Sequence, residues 1–448
     1  MRVLFVSNGF PPEGQWGTEF YTHQAAVGLA GRGHTVRVFC PRREGDGERF
    51  SVQRSVRSGI RVHEVLNPPS GTKRFEDSFR SRPVEERFEQ ALRELRPQVV
   101  HFTHFLWGLS SRLPRLAREA GARVVVTLTD FGILCHRGQL LDAVLDECSG
   151  PAPGKCARCV RSLGPYDGHP LLRALKQGAA AGLAALGGGG LVPTASDLRR
   201  RQEAIDDALD AAHLFIAPTH ALAQRVPSER VPSDRLRVLC YGLDERLFAE
   251  GVREREPGAP LRFGFLGQFQ PHKGLATLFR AAELLASGGV GTQHAWRVRV
   301  HGNPVGGRHA RYLDATWNPQ LAPWFEFSGA FEPLDAPEAM AELDVLLVPS
   351  RWTENAPLTV LQAQAMGLPV LASDVPGIRE LGGEGLTLIE PTDPDAWAFE
   401  MGEQLLAGPR RLEPGGMPMG LDEHLGQLET WYAELLEQGQ LRLLGGGA

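Results

Sequence analysis

This 448-residue chain lacks an excess of positive charge, a long hydrophobic run and a convincing metal-carboxylate motif. With a formal net charge of −5, it offers no broad basic surface, so a nucleic-acid partner is not expected. Its least polar long stretch, Gly178 to Pro193, is rich in Ala and Gly and carries Gly187 to Gly190, so integral membrane insertion is not expected. Met1 and Arg2 run directly into the apolar stretch Val3 to Val6, too short for a secretory apolar region, which leads us to expect a cytoplasmic protein. Asp393-Pro394-Asp395 fits D-x-D only on paper, because it follows the last expected strand and reads as a turn; no catalytic metal is expected. No repeat of solenoid period is present.

What remains is the composition of an ordinary globular protein, 42% hydrophobic and 23% charged, on a chain long enough for two domains. Positive charge gathers in the first half, at Arg42, Arg43, Arg49, Arg54, Arg57, Arg61, Lys73, Arg74, Arg80 and Arg82. Two readings stay open there. One is a solvated loop region, which we prefer; the other is peripheral contact with the inner face of a membrane.

Strand and helix patterns alternate, which predicts a parallel-sheet α/β architecture. Arg2 to Val6, Thr35 to Phe39, Gln98 to Phe102, Arg123 to Leu128 and Leu214 to Ala217 read as strands of a first domain over 1–245. A long irregular, Cys-rich insertion, centred on 135–160, interrupts it. The charged segment 246–260, with Glu256-Pro257-Gly258, reads as a linker. A second domain over 261–420 takes strands from Arg262 to Leu266, Trp296 to Val300, Phe325 to Phe327, Val345 to Val348 and Val370 to Ala372. An amphipathic helix from Leu421 opens the tail, 421–448, and can return toward the first domain.

The most informative segment is Pro349 to Gly377. The apolar run Val345 to Val348 leads through a polar turn, Arg351 to Asn355, into a helix opened by Pro357 and stopped near Gly367. Free amides of a first helical turn, placed above the carboxyl end of a parallel sheet, make an anion site suited to a diphosphate. A second segment, Phe263 to Gly274, is a strand and a Gly-containing turn that places Lys273 just before a helix, where its ammonium can meet a phosphate.

Together these segments resemble the second domain of retaining glycosyltransferases of the GT-B fold, in particular family 4. Gly267, Lys273 and Gly274 match its G-x(4,5)-K-G; Glu354, Ala365, Gly367, Pro369 and Val370 match its E-x7-E followed by A-x-G-x-P-V. In the first domain, Phe10 to Glu19, with Gly17, is similar to the family's Pro-Pro and Gly-Gly-x-Glu loop. His104 and Asp130 fall in segments that resemble those lining the family's acceptor and donor sites. The resemblance implies two Rossmann-like domains facing a cleft, and transfer of a sugar from a nucleoside-diphosphate sugar to an unknown acceptor with retention. The acceptor classes it leaves open are saccharide, lipid-linked saccharide and small metabolite. It assigns catalysis to Glu354, Lys273, His104 and Asp130. Donor binding falls to Gly17, Gly267, Gln268, Lys273, Asn355, Ala356, Pro357, Leu358 and Gln362. Three positions depart from the family: Gln362 replaces the second Glu, Gln268 an Arg and Thr129 a His. A catalytically silent GT-B binding or scaffold protein is the alternative.

Cys135, Cys148, Cys156 and Cys159 fall in the insertion, the last two as C-x-x-C. Four thiolates from a short excursion can surround a tetrahedral zinc. A structural zinc is expected there, with unliganded thiols as the other reading.

Overall fold

The computed structural model describes residues 1–12, 16–68, 74–164, 166, 170–185, 192–248, 250–302, 306–331, 333–410, 412–414 and 419–445. Lys73 and the run Gly187 to Gly190 lie outside the described residues, as do Glu13 to Gln15 of the first loop. Eight strands form the first sheet: β1 (Arg2–Val6), β2 (Thr35–Arg42), β3 (Val52–Arg57), β4 (Ile60–Leu66), β5 (Val99–Phe102), β6 (Arg123–Thr127), β7 (Leu214–Ala217) and β8 (Leu236–Val238). Six form the second: β9 (Leu261–Leu266), β10 (Trp296–His301), β11 (Phe325–Gly329), β12 (Val345–Val348), β13 (Val370–Ser373) and β14 (Leu386–Ile389). The spatial orders are β3-β4-β2-β1-β5-β6-β7-β8 and β11-β10-β9-β12-β13-β14. Every neighbouring pair is parallel except β3 with β4.

Parallel sheets covered by helices on both faces need strands that are apolar throughout. β5, β7, β12 and β13 are buried along their whole length. In each sheet the chain leaves one strand for opposite neighbours in turn, β1 for β2 and later β5, β9 for β10 and later β12. The crevice outside the carboxyl ends of such strands is where open α/β sheets take ligands. The loops carrying Lys273 and Glu354 follow β9 and β12, the two strands at the second switch point.

The basic region of the first half is structured. Its Val52 to Leu66 portion is the antiparallel β3–β4 hairpin at the sheet edge. Arg57 pairs with Glu64 at 2.8 Å, Arg54 with Glu94 at 2.8 Å, Arg80 with Glu85 at 3.3 Å and Arg82 with Glu86 at 3.1 Å. Arg43 and Arg49 donate to Asn8 and Asn67 at 2.6 and 2.9 Å. Four of these ten basic residues thus have carboxylate partners within the domain. Among the described residues no helix is long and apolar enough to cross a membrane.

The insertion between β6 and β7 is less irregular than expected, containing the helices Pro153–Arg161 and Pro170–Ala185. At the other end of the chain, the helix Leu421–Gly445 packs on the first-domain helix Gly17–Gly31. Arg32 at the end of that helix reaches Glu429 at 2.7 Å and Asp422 at 3.0 Å. Beneath these ion pairs His101 shares hydrogen bonds with Tyr432 and, at 2.7 Å, with Thr127. His424 bridges the Tyr21 hydroxyl at 3.1 Å and the Cys240 carbonyl at 2.8 Å.

Burial pushes His101 down to about 3 and His424 to about 4, so both are neutral in the folded chain. His104 and His136 are also lowered to about 3 by burial. Unfolding returns each imidazole to about 6.5, so below that pH the unfolded state binds protons that the folded state refuses. Glu19 and Asp130 run the other way, raised by burial to about 7 and about 6, and hold protons in the folded state. Four imidazoles outweigh two carboxyls, leaving the unfolded state ahead by about two protons near pH 5. The melting temperature should therefore fall steadily as pH drops from 6.5 toward 4, with a shallower slope in His424→Gln; a flat profile in calorimetry would contradict this.

Candidate functional site

The loops after β9 and β12 are pressed together at Gly274. This residue has φ 76°, and a Cβ there would stand 1.7 Å from the Pro349 carbonyl oxygen. Only glycine allows that backbone approach. The Arg351 amide donates to the His272 carbonyl at 2.8 Å, a second tie between the loops. Lys273 Nζ consequently meets Glu354 Oε1 at 2.7 Å and lies 5.3 Å from the centre of the Trp352 ring. The Ser350 hydroxyl donates to the same carboxylate oxygen. Glu354 itself is 3% exposed and holds φ 51°, a left-handed conformation uncommon for a side-chain-bearing residue. Gly377 packs on it so closely that a Cβ would stand 2.3 Å from the Glu354 carbonyl oxygen.

Beside this pair lies a cavity of about 200 Å³ with walls from both domains. Gly17, Gly267, Gln268, Lys273, Leu358 and Gln362, six of the residues expected to bind donor, line it. Trp16, Phe20, Gly302, Phe331 and Thr359 line it too and were not anticipated. Sequence held a partial signal for Trp16 and Phe20, which lie in and just after the Phe10 to Glu19 loop already singled out. None existed for Gly302 and Phe331, which arrive after β10 and β11 through the strand order alone.

Three expected donor contacts are placed differently. Asn355 turns away from the cavity and donates from Nδ2 to the Thr129 carbonyl of the first domain at 2.6 Å. Ala356 is 4% exposed and belongs to the second-domain core. Pro357 precedes the helix Leu358–Ala365 and has no amide to give. Amides of Val360 and Leu361 bond to the Pro357 carbonyl at 3.0 and 3.3 Å, which leaves the open first turn to Leu358 and Thr359, both on the cavity.

His104 and Asp130 do not line this cavity. His104 is 8% exposed, stacks on Trp107 with ring centres 5.2 Å apart, and leaves Nε2 without a partner. The Asp130 carboxylate accepts the Gly132 amide at 2.7 Å. Asp393 caps the helix Pro394–Ala407 by accepting amides of Asp395 and Ala396 at 3.0 and 3.1 Å, so the D-x-D opens a helix where a turn was expected. Cys135, Cys148, Cys156 and Cys159 are all free and line a separate cavity of about 400 Å³. Their kind suits zinc, but among the described residues no three His, Cys, Asp or Glu side chains are placed to hold one ion. One reason is local: Cys156 Sγ is turned back to accept the Ala152 amide at 3.3 Å.

Two facing parallel α/β domains with an anion-ready crevice between them define the GT-B class, and solved structures agree. Sucrose-phosphate synthase from Thermosynechococcus elongatus superimposes with a TM-score of 0.60 over 100% of both chains at 16% identity. Anabaena HepE, solved in complex with UDP and glucose, gives 0.55 over 99% of both chains at 15% identity. Residues 17–242 match the family described as "Glycosyl transferase 4-like domain", and residues 260–406 the one described as "Glycosyl transferases group 1". The chain belongs to this family 4, group 1 glycosyltransferase family. D-inositol 3-phosphate glycosyltransferase of Corynebacterium diphtheriae is 29% identical over 214 residues, 45% of this chain and 48% of that protein. The matched region thus spans about half the length of the curated relative.

Replacing Gly274 by Ala forces a left-handed conformation and a backbone overlap at once. We expect Gly274→Ala to destabilise the chain by at least about 2 kcal/mol, with a melting temperature several degrees lower. An unchanged melting curve would mean the two loops are not held together at this point.

Proposed function

We propose that the chain transfers a sugar from a nucleoside-diphosphate sugar to an acceptor hydroxyl, with retention and without a catalytic metal, in glycan, glycolipid or cell-surface polysaccharide synthesis. The observation that carries this reading is the Lys273–Glu354 contact of 2.7 Å, at the edge of a cavity built from both domains. In such a reaction the bond from the anomeric carbon to the phosphate breaks and one to the acceptor oxygen forms on the same face. The acceptor proton ends on the leaving phosphate. Negative charge grows on that phosphate, and donors fixed in advance toward it supply the main stabilisation. Lys273 and the open first turn at Leu358 and Thr359 are those donors. Glu354 accepts hydrogen bonds from the sugar hydroxyls and orients the ring, and Gln362 meets the ribose without a formal charge. The UDP and glucose bound by HepE support a nucleotide-sugar donor.

Donor binding has to divide the Lys273–Glu354 pair, giving the cation to phosphate and the carboxylate to sugar. Lys273→Ala and Glu354→Ala should each lower kcat by about 10²–10³-fold in a coupled assay of nucleoside-diphosphate release over a panel of UDP-, GDP- and ADP-sugars. Wild-type turnover absent with every donor, or equal in both variants, would leave the silent binding protein as the function.

A structural zinc on Cys135, Cys148, Cys156 and Cys159 belongs to the same reading and requires the ion to draw the thiols in, since ligand sites seldom exist preformed. Purified protein should carry about one zinc per chain. Its removal by chelator should lower the melting temperature without lowering turnover; no zinc and four titratable thiols would dispose of the site.

A further inference from the structure

A cavity of about 410 Å³ lies on the back of the first domain, at the amino ends of β6, β7 and β8. The cleft stands at the carboxyl ends of these parallel strands, so the length of the sheet separates the two. Arg123 opens β6, Leu214 opens β7 and Arg237 is the second residue of β8, and all three line the cavity. Trp431, Glu434, Leu435 and Gln438 close it from the helix Leu421–Gly445.

Four arginines line this space, Arg118, Arg123, Arg235 and Arg237, against two carboxylates, Asp234 and Glu434. Three of the four are held by backbone alone. Arg118 Nη1 donates to the Asp210 carbonyl at 2.7 Å, Arg235 Nη1 to the Ala212 carbonyl at 2.9 Å, and Arg237 Nη1 to the Asp234 and Leu236 carbonyls at 3.0 and 3.1 Å. Each keeps Nε and Nη2 for a further acceptor. Among the described residues no ion pair joins Asp234 or Glu434 to any of these three.

His213 adds an independent demand for an acceptor. Its Nδ1 accepts the Val124 amide at 3.0 Å, which fixes the ring proton on Nε2. That Nε2 stands 3.1 Å from Arg123 Nη1, so one donor faces another. A single anionic oxygen placed beside them would accept from both. The tail helix is notched at the same point: a Cβ on Gly439 would overlap the Arg123 guanidinium, and glycine leaves that group its room.

We propose that this cavity binds a small phosphorylated molecule, its phosphate held by Arg123, Arg235, Arg237 and His213 Nε2 and its remainder lying against Trp431. Planar guanidinium groups meet phosphate oxygens in pairs, and charge assistance makes such bonds stronger than neutral ones. The volume lies within the roughly 300–1,000 Å³ usual for small-ligand sites. Because one wall is the sheet and the other the tail helix, the ligand braces that helix against the first domain. The inference does not depend on the glycosyltransferase reading.

Isothermal titration calorimetry on the full chain tests it, with pyrophosphate, glucose 6-phosphate and AMP as probes and glucose as the neutral control. At least one phosphorylated probe should bind and glucose should not. Arg235→Gln and Arg237→Gln should each weaken that probe by about tenfold or more. Arg237 is exposed and bonds only within its own turn, so this variant separates lost binding from lost folding. Lys273→Ala, in the donor cavity, should leave the binding in place. No binding of any probe, equal binding of glucose and glucose 6-phosphate, or loss in Lys273→Ala with both arginine variants unaffected overturns the proposal. Flotation with vesicles of phosphatidylglycerol and phosphatidylcholine separates a lipid phosphate from a free one: adhesion to vesicles with no soluble probe bound would also overturn it. UDP binding, followed separately by thermal shift, reports on the donor cavity and the proposed function and should be equal in the two arginine variants and wild type.

Discussion

The chemistry-bearing part of this molecule depends on one close backbone approach, Gly274 against the Pro349 carbonyl. β9 and β12 are neighbours in the sheet, paired at Val345 with Phe263 and Leu346 with Gly264, so their following loops start side by side. Adjacency alone does not bring Lys273 to Glu354. A Cβ at 274 would need the space held by the Pro349 oxygen, and the loops would have to separate. With glycine there, the ammonium reaches the carboxylate at 2.7 Å. Glu354 meanwhile sits at φ 51°, a backbone state that costs about 1–3 kcal/mol and persists only where surroundings over-determine it. Ser350, Lys273 and the pressure of Gly377 from behind supply that determination.

Contacts between the domains fall into several groups. At the cleft, Trp352 of the second domain meets Phe131 of the first edge-on, with centres 6.2 Å apart, and Asn355 makes a single hydrogen bond to Thr129. At the other end the helix Leu421–Gly445 is bound to the first domain by buried histidine and tyrosine hydrogen bonds and by the Arg32 ion pairs. Leu243 also bridges to Gly420 there, so the two strands of chain that cross between domains lie together. Further contacts join the domains: the His220 and Ala221 amides donate to Glu380 at 2.6 and 2.7 Å, Tyr166 meets Tyr312 with ring centres 4.8 Å apart, and Phe20 and Tyr21 share a buried cluster with Leu266 and Met340.

Legibility in the sequence followed the physics that each feature obeys. Parallel strands buried on both faces must be apolar, so Val345 to Val348 and Leu214 to Ala217 announced themselves. Lys273 and Glu354 were readable because each sits in a strand–loop–helix passage whose chemistry is local. The β3–β4 hairpin was missed because Val52-Gln53-Arg54-Ser55-Val56-Arg57 lies on an exposed edge, where two of six positions are charged, two more are polar and strand resembles loop. The Asn355 contact was not legible for another reason: its partner, the Thr129 carbonyl, is 226 residues away and on the other domain. Spacing placed the four cysteines in one insertion, but spacing says nothing about rotamers, and Cys156 turns its sulfur to its own helix start.

The departures at Gln268 and Gln362 take on a meaning once both are seen on the same cavity wall. Among the described residues lining the cavity Lys273 is the single formally charged one, and Glu354 already balances it. An Arg at 268 would add a cation, and a Glu at 362 an anion; with amides at both, the net charge of the wall is the same as with both ions. Loss of one ion without the other would leave an uncompensated charge, or an uncompensated deficit, in a space of low dielectric, where such imbalance is expensive. The two neutral residues are thus consistent with each other and with a working site. In the proposed transfer, Lys273 is the one side-chain cation among the described lining residues that would meet the diphosphate, and it would first have to leave Glu354. That release would free a carboxylate for the sugar, so under the proposal arrival of the phosphate and exposure of Glu354 are a single event at one ion pair.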